Sequence, residues 1–314
     1  MRRWKLLWHA ALMVPVVAMA QPDLSQPQGP TIADIGSSHY RFSRFDLDSE
    51  DGDRHYRIWI GEPRSTPSAN GRPVIYLLDG NAALGVIDEA QLAELERGEP
   101  PVIVALGYAT PLRFDTTARA YDYTPPLPDG RPVVDDIARD RKGGGADVFL
   151  DLLEHRIKPA VESRAPIDSS RQTLWGHSYG GLFTLHSLFT RPGLFQHYVA
   201  GDPSLWWQGG FILSEADTYV PTGNQPTLLL LKGAATRERP SSGPDGAQAR
   251  AREQAVNAVP PDATEQLAHR LATNGGVNVS YKAFPELGHG PMLPASLRLA
   301  LMSAAGLTAT ETAK

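Results

Sequence analysis

The sequence contains no cysteine, no excess of basic residues and, after its first twenty residues, no long apolar run. The absence of cysteine excludes a disulfide framework, thiol catalysis and cysteine-ligated zinc. Acidic residues outnumber basic ones by 35 to 30, so a nucleic-acid partner is not expected. A membrane-spanning helix needs about 20 consecutive apolar residues, so a stable membrane anchor is not expected either. The fold must therefore be stabilised by its hydrophobic core.

The first twenty residues have the layout of a secretory signal peptide. Arg2, Arg3 and Lys5 precede an apolar run that ends in small residues at Ala20, after which cleavage is expected. A membrane anchor is the alternative, but the run is shorter than a spanning helix requires. Cleavage would leave 27 basic against 35 acidic residues, a net charge of −8. We predict export to a periplasm or to the extracellular space.

The remaining chain is long enough for one large α/β domain. Residues 21–37 are rich in Pro, Gln, Gly and Ser without periodicity, which predicts a flexible leader. Residues 38–306 are predicted to form the single domain, and residues 307–314 a flexible tail.

Two kinds of apolar pattern predict the sheet. Alternation around residues 40–42 and 56–60, on either side of a turn, predicts an antiparallel hairpin at the N-terminus. Unbroken apolar runs at 74–78 and 102–106 are typical of central parallel strands covered by helices on both faces. Further strands are predicted at 172–175, 197–201, 227–231 and 277–284, and helices at 83–97, 147–164, 179–190 and within 248–274. This order predicts an α/β fold with a mostly parallel sheet.

Gly176-His177-Ser178-Tyr179-Gly180 matches the pattern G-x-S-x-G, between a predicted strand and a predicted helix. A serine hydroxyl is a weak nucleophile unless a sharp turn exposes it beside a base, and flanking glycines permit such a turn. The context predicts Ser178 as the nucleophile of an α/β-hydrolase.

The base and the acid should follow the nucleophile in the chain. Gly288-His289-Gly290 comes after the last predicted strand and predicts His289 as the base, whereas His269 lies in a polar helix typical of the surface. An ordinary histidine, with a pKa of about 6.5, can accept the serine proton at neutral pH. Glu238 is the preferred acid because it follows the strand at 227–231, and Asp245 and Asp202 are the alternatives.

Two backbone N–H groups should form the oxyanion hole. Tyr179 follows the nucleophile, and Asn81 lies in the loop after the strand at 74–78. The long connection at 113–145 does not fit the α/β pattern, and we expect it to be an unstructured insertion that binds substrate.

Four segments resemble the periplasmic esterases that hydrolyse the trilactone siderophores enterobactin and salmochelin. They are Leu77-Leu78-Asp79-Gly80-Asn81, Arg119-Ala120-Tyr121-Asp122-Tyr123-Thr124-Pro125, Trp175-Gly176-His177-Ser178-Tyr179-Gly180-Gly181-Leu182-Phe183 and Leu287-Gly288-His289-Gly290-Pro291-Met292. The resemblance implies a periplasmic serine esterase that cleaves a catecholate siderophore of the ferric enterobactin type and aids iron acquisition. Two features depart from the family: Asp202 stands where a serine is usual, and the region of Glu238 differs. Because some members of the family work with a Ser-His pair and no well-placed acid, Glu238 is not carried over by the resemblance, and a Ser-His dyad is an alternative to a triad.

A ferric tris-catecholate is a bulky aromatic trianion, so its site should offer cations and flat rings. Among the loop residues, Arg119, Arg141, Lys142 and Trp206 are the predicted substrate contacts. Iron would belong to the substrate and no cofactor is expected, because the sequence shows no cluster with metal-ligand spacing. The alternatives are an esterase or acyltransferase for another acyl group, such as a feruloyl ester or a formyl thioester, and a catalytically dead ferric-siderophore binding protein.

Overall fold

The computed structural model describes residues 25–136, 141–221, 223, 225–235 and 254–308. The strands are β1 (Tyr40–Asp48), β2 (His55–Pro63), β3 (Arg72–Leu77), β4 (Val102–Tyr108), β5 (Val133–Asp136), β6 (Arg141–Gly143), β7 (Ile167–His177), β8 (His197–Gly201), β9 (Thr227–Gly233) and β10 (Asn278–Phe284). The helices are α1 (Ile32–Ile35), α2 (Gly80–Leu84), α3 (Glu89–Leu95), α4 (Ala118–Asp122), α5 (Ala146–Leu152), α6 (Lys158–Glu162), α7 (Tyr179–Thr190), α8 (Phe211–Thr218), α9 (Ala263–Asn274) and α10 (Met292–Ala304). Within these ranges no helix is both long and apolar enough to cross a membrane.

Eight strands form one sheet in the order β1-β2-β4-β3-β7-β8-β9-β10. The pairs β1–β2 and β2–β4 are antiparallel. All other neighbouring pairs in this sheet, from β4–β3 to β9–β10, are parallel. The predicted N-terminal hairpin and the predicted parallel core are both confirmed. Every residue of β3 and β4 is buried, which explains why their sequences do not alternate with polar residues.

Helices cover both faces of the sheet. Alternate residues of β3 point to opposite faces: Val74 and Tyr76 pack with α4 to α9, and Ile75 and Leu77 pack with α1, α2, α3 and α10. The molecule therefore has two apolar layers separated by the sheet. Burial on both faces stabilises the sheet and holds the ends of its strands in place.

Two predictions about local structure differ from what is observed. Residues 25–37 of the predicted flexible leader pack on the domain, because Ile32 is buried and Gln28 donates a hydrogen bond to the Asn81 carbonyl at 2.7 Å. The helix predicted at 83–97 is two helices, since the Asp88 carboxylate accepts the Gln91 N–H and begins α3. The predicted signal peptide lies outside the described residues.

The connection at 113–145 is also more ordered than its sequence indicates. It contains α4 and an antiparallel hairpin of β5 and β6. The Tyr123 hydroxyl accepts the Asp79 N–H at 3.0 Å, and Thr124 accepts the Gly144 N–H at 2.8 Å. These contacts bring the insertion beside the carboxyl end of β3, so the prediction of an unstructured loop is wrong for the described part.

Candidate active site

Ser178 lies on a tight turn between β7 and α7. Its backbone has φ 61° and ψ −115°, a conformation that residues with a side chain rarely adopt. A Cβ on Gly176 would lie 2.2 Å from the Gly180 carbonyl oxygen, so this crossing admits only glycine. The Ser178 N–H donates to the Gly201 carbonyl at 3.0 Å, which ties the turn to β8. The turn presents the Ser178 hydroxyl at the carboxyl edge of the parallel strands.

His289 lies in the loop between β10 and α10 and reaches the nucleophile. The Ser178 hydroxyl donates to His289 Nε2 at 3.0 Å. The His289 side chain is 34% exposed, so one edge of the ring faces the space that an ester and its leaving group would occupy. The structure brings together the two residues that the sequence predicts as nucleophile and base.

Asp202 occupies the position of the acid. His289 Nδ1–H donates to Asp202 Oδ2 at 2.5 Å, and the Asp202 side chain is only 4% exposed. Burial opposes ionisation of this carboxyl, but the hydrogen bond and charge of His289, with Lys232, outweigh it and lower the pKa of Asp202 below its usual range.

The sequence ranked Glu238 ahead of Asp202 as the acid, and the geometry supports Asp202. Glu238 and Asp245 lie outside the described residues. The signal for Asp202 was present in the sequence, because this residue directly follows β8, one strand before the expected position. Its backbone has φ 41°, a left-handed conformation that the sequence alone does not reveal.

His177 has a role that the sequence did not suggest. His177 is buried, and its Nε2–H donates to the His289 carbonyl at 2.9 Å. Burial lowers the pKa of His177 to about 3, and repulsion from His289 acts in the same direction. His177 is therefore a neutral donor that holds the backbone of the catalytic loop.

The two predicted oxyanion donors lie in the first turns of two helices. Tyr179 is the first residue of α7 and Asn81 is the second of α2, and N–H groups at such positions have no acceptor within the helix. The Asn81 side chain is used elsewhere: its amide donates to the Tyr108 and Thr110 carbonyls at 3.2 and 3.1 Å. Only the Asn81 main chain is left for an oxyanion, and this role stays a prediction.

Arg119 is paired within the protein instead of facing solvent as a free cation. Its Nε and Nη2 atoms each donate to the Asp79 carboxylate at 2.8 Å, and the two side chains are 14% and 4% exposed. The guanidinium lies 5.4 Å from the ring centres of Phe114 and Tyr179. Because Asp79 directly precedes α2, the pair anchors the start of the helix that carries Asn81.

Arg141 is also neutralised by a neighbour. It donates to Asp135 at 2.6 Å, and the Asp135 side chain is 1% exposed. The same carboxylate accepts the Tyr179 hydroxyl at 2.8 Å and Trp207 Nε1–H at 3.2 Å. Asp135 therefore connects the β5–β6 hairpin to the residue after the nucleophile. Burial, followed by the charge of Asp135, raises the pKa of Tyr179, which keeps its hydroxyl as a donor.

The other two predicted substrate residues lie at the rim. Lys142 is exposed on β6, and Trp206 is partly buried with its ring 6.0 Å from that of Tyr179. A flat surface beside the nucleophile is thus present, and its use by a substrate stays a prediction.

His177, Asp202 and His289 lie together, with one potential ligand atom of each within 4.8 Å of the others. The sequence indicated no such cluster, because the three residues are far apart in the chain. These side chains already hydrogen-bond within the site, to His289 O, His289 Nδ1 and Ser178 Oγ. These three side chains therefore fit a hydrogen-bonded catalytic relay better than a metal site.

This arrangement defines a class of protein. A partly buried serine on a strained strand–helix turn, a histidine that accepts its proton and a buried carboxylate that orients the histidine can form and hydrolyse an acyl-enzyme. With a mostly parallel sheet between two helical layers, the chain is a serine hydrolase of the α/β-hydrolase fold.

A model of the Esterase family matches residues 49–239, and the chain belongs to that family. It is 40% identical over 294 residues to the apo-salmochelin esterase of Escherichia coli O6:H1, covering 94% of this chain and 88% of the relative. It is 35% identical to the ferri-bacillibactin esterase BesA of Bacillus subtilis, covering 81% and 86%. The solved enterobactin hydrolase IroE in complex with DFP shares 39% identity, covers 88% of this chain and 100% of IroE, and superposes with a TM-score of 0.70.

Proposed function

We propose that this protein is a periplasmic serine esterase that hydrolyses the ester bonds of a trilactone catecholate siderophore and so aids iron acquisition. The observation that carries the chemistry is the hydrogen-bonded series Ser178–His289–Asp202. The siderophore is supported by the relatives, which are a salmochelin esterase and a bacillibactin esterase, and the periplasm by the layout of the first twenty residues.

The proposed reaction has two steps. The Ser178 oxygen bonds to the lactone carbonyl carbon while His289 accepts the serine proton, and the N–H groups of Tyr179 and Asn81 stabilise the oxyanion. The ester C–O bond then breaks, His289 gives its proton to the leaving alkoxide, and the trilactone opens. In the second step water attacks the acyl-enzyme and His289 takes its proton. The Ser178–acyl bond breaks, the proton returns to Ser178, and a free carboxylic acid is released.

Whether the ferric or the iron-free siderophore is the preferred substrate stays a prediction. The sequence favoured the ferric trianion because arginines gather in the insertion, but Asp79 and Asp135 neutralise Arg119 and Arg141. Two other cations of the insertion are Lys142, which is exposed, and Arg113, whose guanidinium lies 5.6 Å from the ring centre of Phe114. Iron is proposed to enter only as part of the substrate, and the ferric form needs a direct comparison with the iron-free form.

The test uses the purified mature protein with iron-free and ferric enterobactin. Chromatography should show linear trimer, dimer and monomer appearing over time, and Ser178→Ala should abolish them. The rates of the two forms decide which one is preferred. If a simple aryl ester or a feruloyl ester is cleaved more efficiently than either form, the siderophore proposal fails and the esterase class survives.

The relay also favours catalysis over the binding-only alternative. A fluorophosphonate probe reacts with a serine that an adjacent base activates. We expect Ser178 to be labelled in the wild type and not in His289→Ala. If wild-type Ser178 stays unlabelled while ferric enterobactin binds, the protein is a binding protein.

A further inference from the structure

Asp202 uses its two carboxylate oxygens differently. Oδ2 accepts the Nδ1–H of His289, and Oδ1 accepts a hydrogen bond from Lys232 Nζ at 2.8 Å. Lys232 lies near the end of β9, and its neighbour Leu231 accepts the Asp202 N–H at 2.7 Å. Both the backbone and the side chain of Asp202 are therefore bound to one strand end.

Two features of Asp202 make this attachment necessary. Its side chain is 4% exposed, so water cannot replace a lost partner at low cost. Its φ of 41° is unfavourable for a residue with a side chain, and such conformations persist only where the surroundings hold them. An oxygen without a partner would let the carboxylate rotate away from His289.

We propose that Lys232 is a positioning residue of the catalytic relay, which fixes the Asp202 carboxylate and offsets its negative charge. The proposal rests on the assignment of Ser178, His289 and Asp202 as the catalytic unit. It does not depend on the identity of the ester, and it extends the relay by one residue, to Lys232–Asp202–His289–Ser178.

In the described part of the chain, further charged or titratable groups near this unit lie on β7, α4 and β10. His177, at the end of β7, is neutral, and Asp79 already neutralises Arg119 of α4. Tyr281 on β10 lies within electrostatic reach of Asp202, and burial, then Glu265 and Asp202, raises the pKa of its hydroxyl, so it stays neutral. Among the described residues, Lys232 is thus the cation in hydrogen-bond contact with the catalytic carboxylate.

The expected size of the change in the pH profile depends on how exposed the Lys232 side chain is. Lys232 is 32% exposed, so solvent screens part of its charge. We expect Lys232→Met to move the acidic limb of the kcat/KM profile to higher pH by about half to one unit. Loss of one orienting hydrogen bond should also lower the plateau value about three- to tenfold. Lys232→Arg keeps the charge and should retain the acidic limb.

The matched control is Lys282→Met. Lys282 is an exposed lysine on the neighbouring strand β10, where its Cα pairs with that of Leu231, and its ammonium lies 5.1 Å from the Phe284 ring centre. Its removal changes the net charge equally, so long-range charge effects cancel in the comparison with Lys232→Met. We expect wild-type kinetics from Lys282→Met.

The experiment measures kcat/KM for p-nitrophenyl acetate between about pH 4.5 and 9, an ester that does not titrate in that range. An upward shift in Lys232→Met, absent from Lys232→Arg and Lys282→Met, supports the proposal. An unmoved limb in Lys232→Met, or equal shifts in Lys232→Met and Lys232→Arg, overturns it. If Lys232→Met does not fold by circular dichroism, the same comparison is made with Lys232→Gln.

A failure of the proposal for Lys232 can be distinguished from a failure of the proposed function. A shifted profile with no cleavage of enterobactin would overturn the siderophore proposal and keep the role of Lys232. Turnover of p-nitrophenyl acetate by Ser178→Ala would overturn the relay and the role of Lys232 together.

Discussion

Replacement of Asp202 by asparagine tests the assignment of the acid directly. The side chain keeps its size but loses its charge, and an amide group can meet His289 Nδ1 with its own N–H. His289 would then be pushed towards the tautomer that places a proton on Nε2, where it cannot accept the Ser178 proton. The present contact is short, at 2.5 Å, and buried, so little water is available to compensate.

The expected loss is large. In serine hydrolases, removal of the triad charge lowers kcat by about 10⁴ when the geometry is kept. Because Lys232 already offsets part of the Asp202 charge, we expect a loss of about 10³ to 10⁴, which corresponds to about 4–5.5 kcal/mol of transition-state stabilisation. KM should change little, because Asp202 lies behind His289 and is almost fully buried.

The assay compares kcat for p-nitrophenyl acetate in Asp202→Asn and Glu238→Gln, with folding checked by circular dichroism. Glu238→Gln should stay within about twofold of wild type if Asp202 is the acid. In Asp202→Asn the Lys232 ammonium loses its carboxylate partner, and the double variant Asp202→Asn/Lys232→Met controls for this. The activity of the double variant should be no higher than that of Asp202→Asn. The reasoning is refuted if Asp202→Asn keeps more than about a tenth of wild-type kcat while Glu238→Gln loses more than about tenfold.

Three further predictions follow from other contacts. Ser178→Ala and His289→Ala should each lower kcat by several orders of magnitude, and the double variant should be hardly slower, because the two act as one unit; steady-state hydrolysis measures this, and additive losses would argue against a shared mechanism. Asp135→Asn should lower the free energy of unfolding by about 2 kcal/mol, measured by urea denaturation, because Arg141, whose side chain is 17% exposed, loses its carboxylate partner; a change below about 0.5 kcal/mol would contradict this. Burial opposes the charge of His186, but its hydrogen bonds to the Asp147 and Glu215 carboxylates raise its pKa to about 9, so the stability that it contributes is complete below about pH 6.5 and is lost as pH rises through about 9. Urea denaturation at several pH values should show this loss in the wild type, and an equal loss in His186→Gln would disprove it.

Several features of the fold were predictable because they depend on local pattern. The unbroken apolar runs of β3 and β4 indicated strands buried on both faces, and the helix after Ser178 was predicted with the bounds that α7 has. Predictions were less accurate where a single side chain starts or stops an element. The break between α2 and α3 depends on the Asp88 cap, and the order of the insertion depends on contacts with distant residues such as Asp79.

The residues of the catalytic site were likewise predictable only in part. Ser178 and His289 were recognisable because glycines and strand order mark them in the chain. The acid was not recognisable, because Asp202, Asp245 and Glu238 all follow a predicted strand, whereas the structure shows Asp202 in contact with His289. Likewise, the sequence shows arginines in the insertion but not their partners. Only the structure shows that Arg119 pairs with Asp79 and that Arg141 pairs with Asp135.

The sequence by itself thus determined the class of fold, the nucleophile and the base, because each is encoded by neighbouring residues and by element order. The tertiary structure alone decided which carboxylate orients His289, that Lys232 holds that carboxylate, and which arginines are already neutralised. The physical reason is the range of the interactions. A turn or a helix depends on residues a few positions apart, whereas ion pairs and hydrogen bonds of the relay join strand ends separated by up to 111 residues in the chain, and only the parallel sheet brings those ends to one edge.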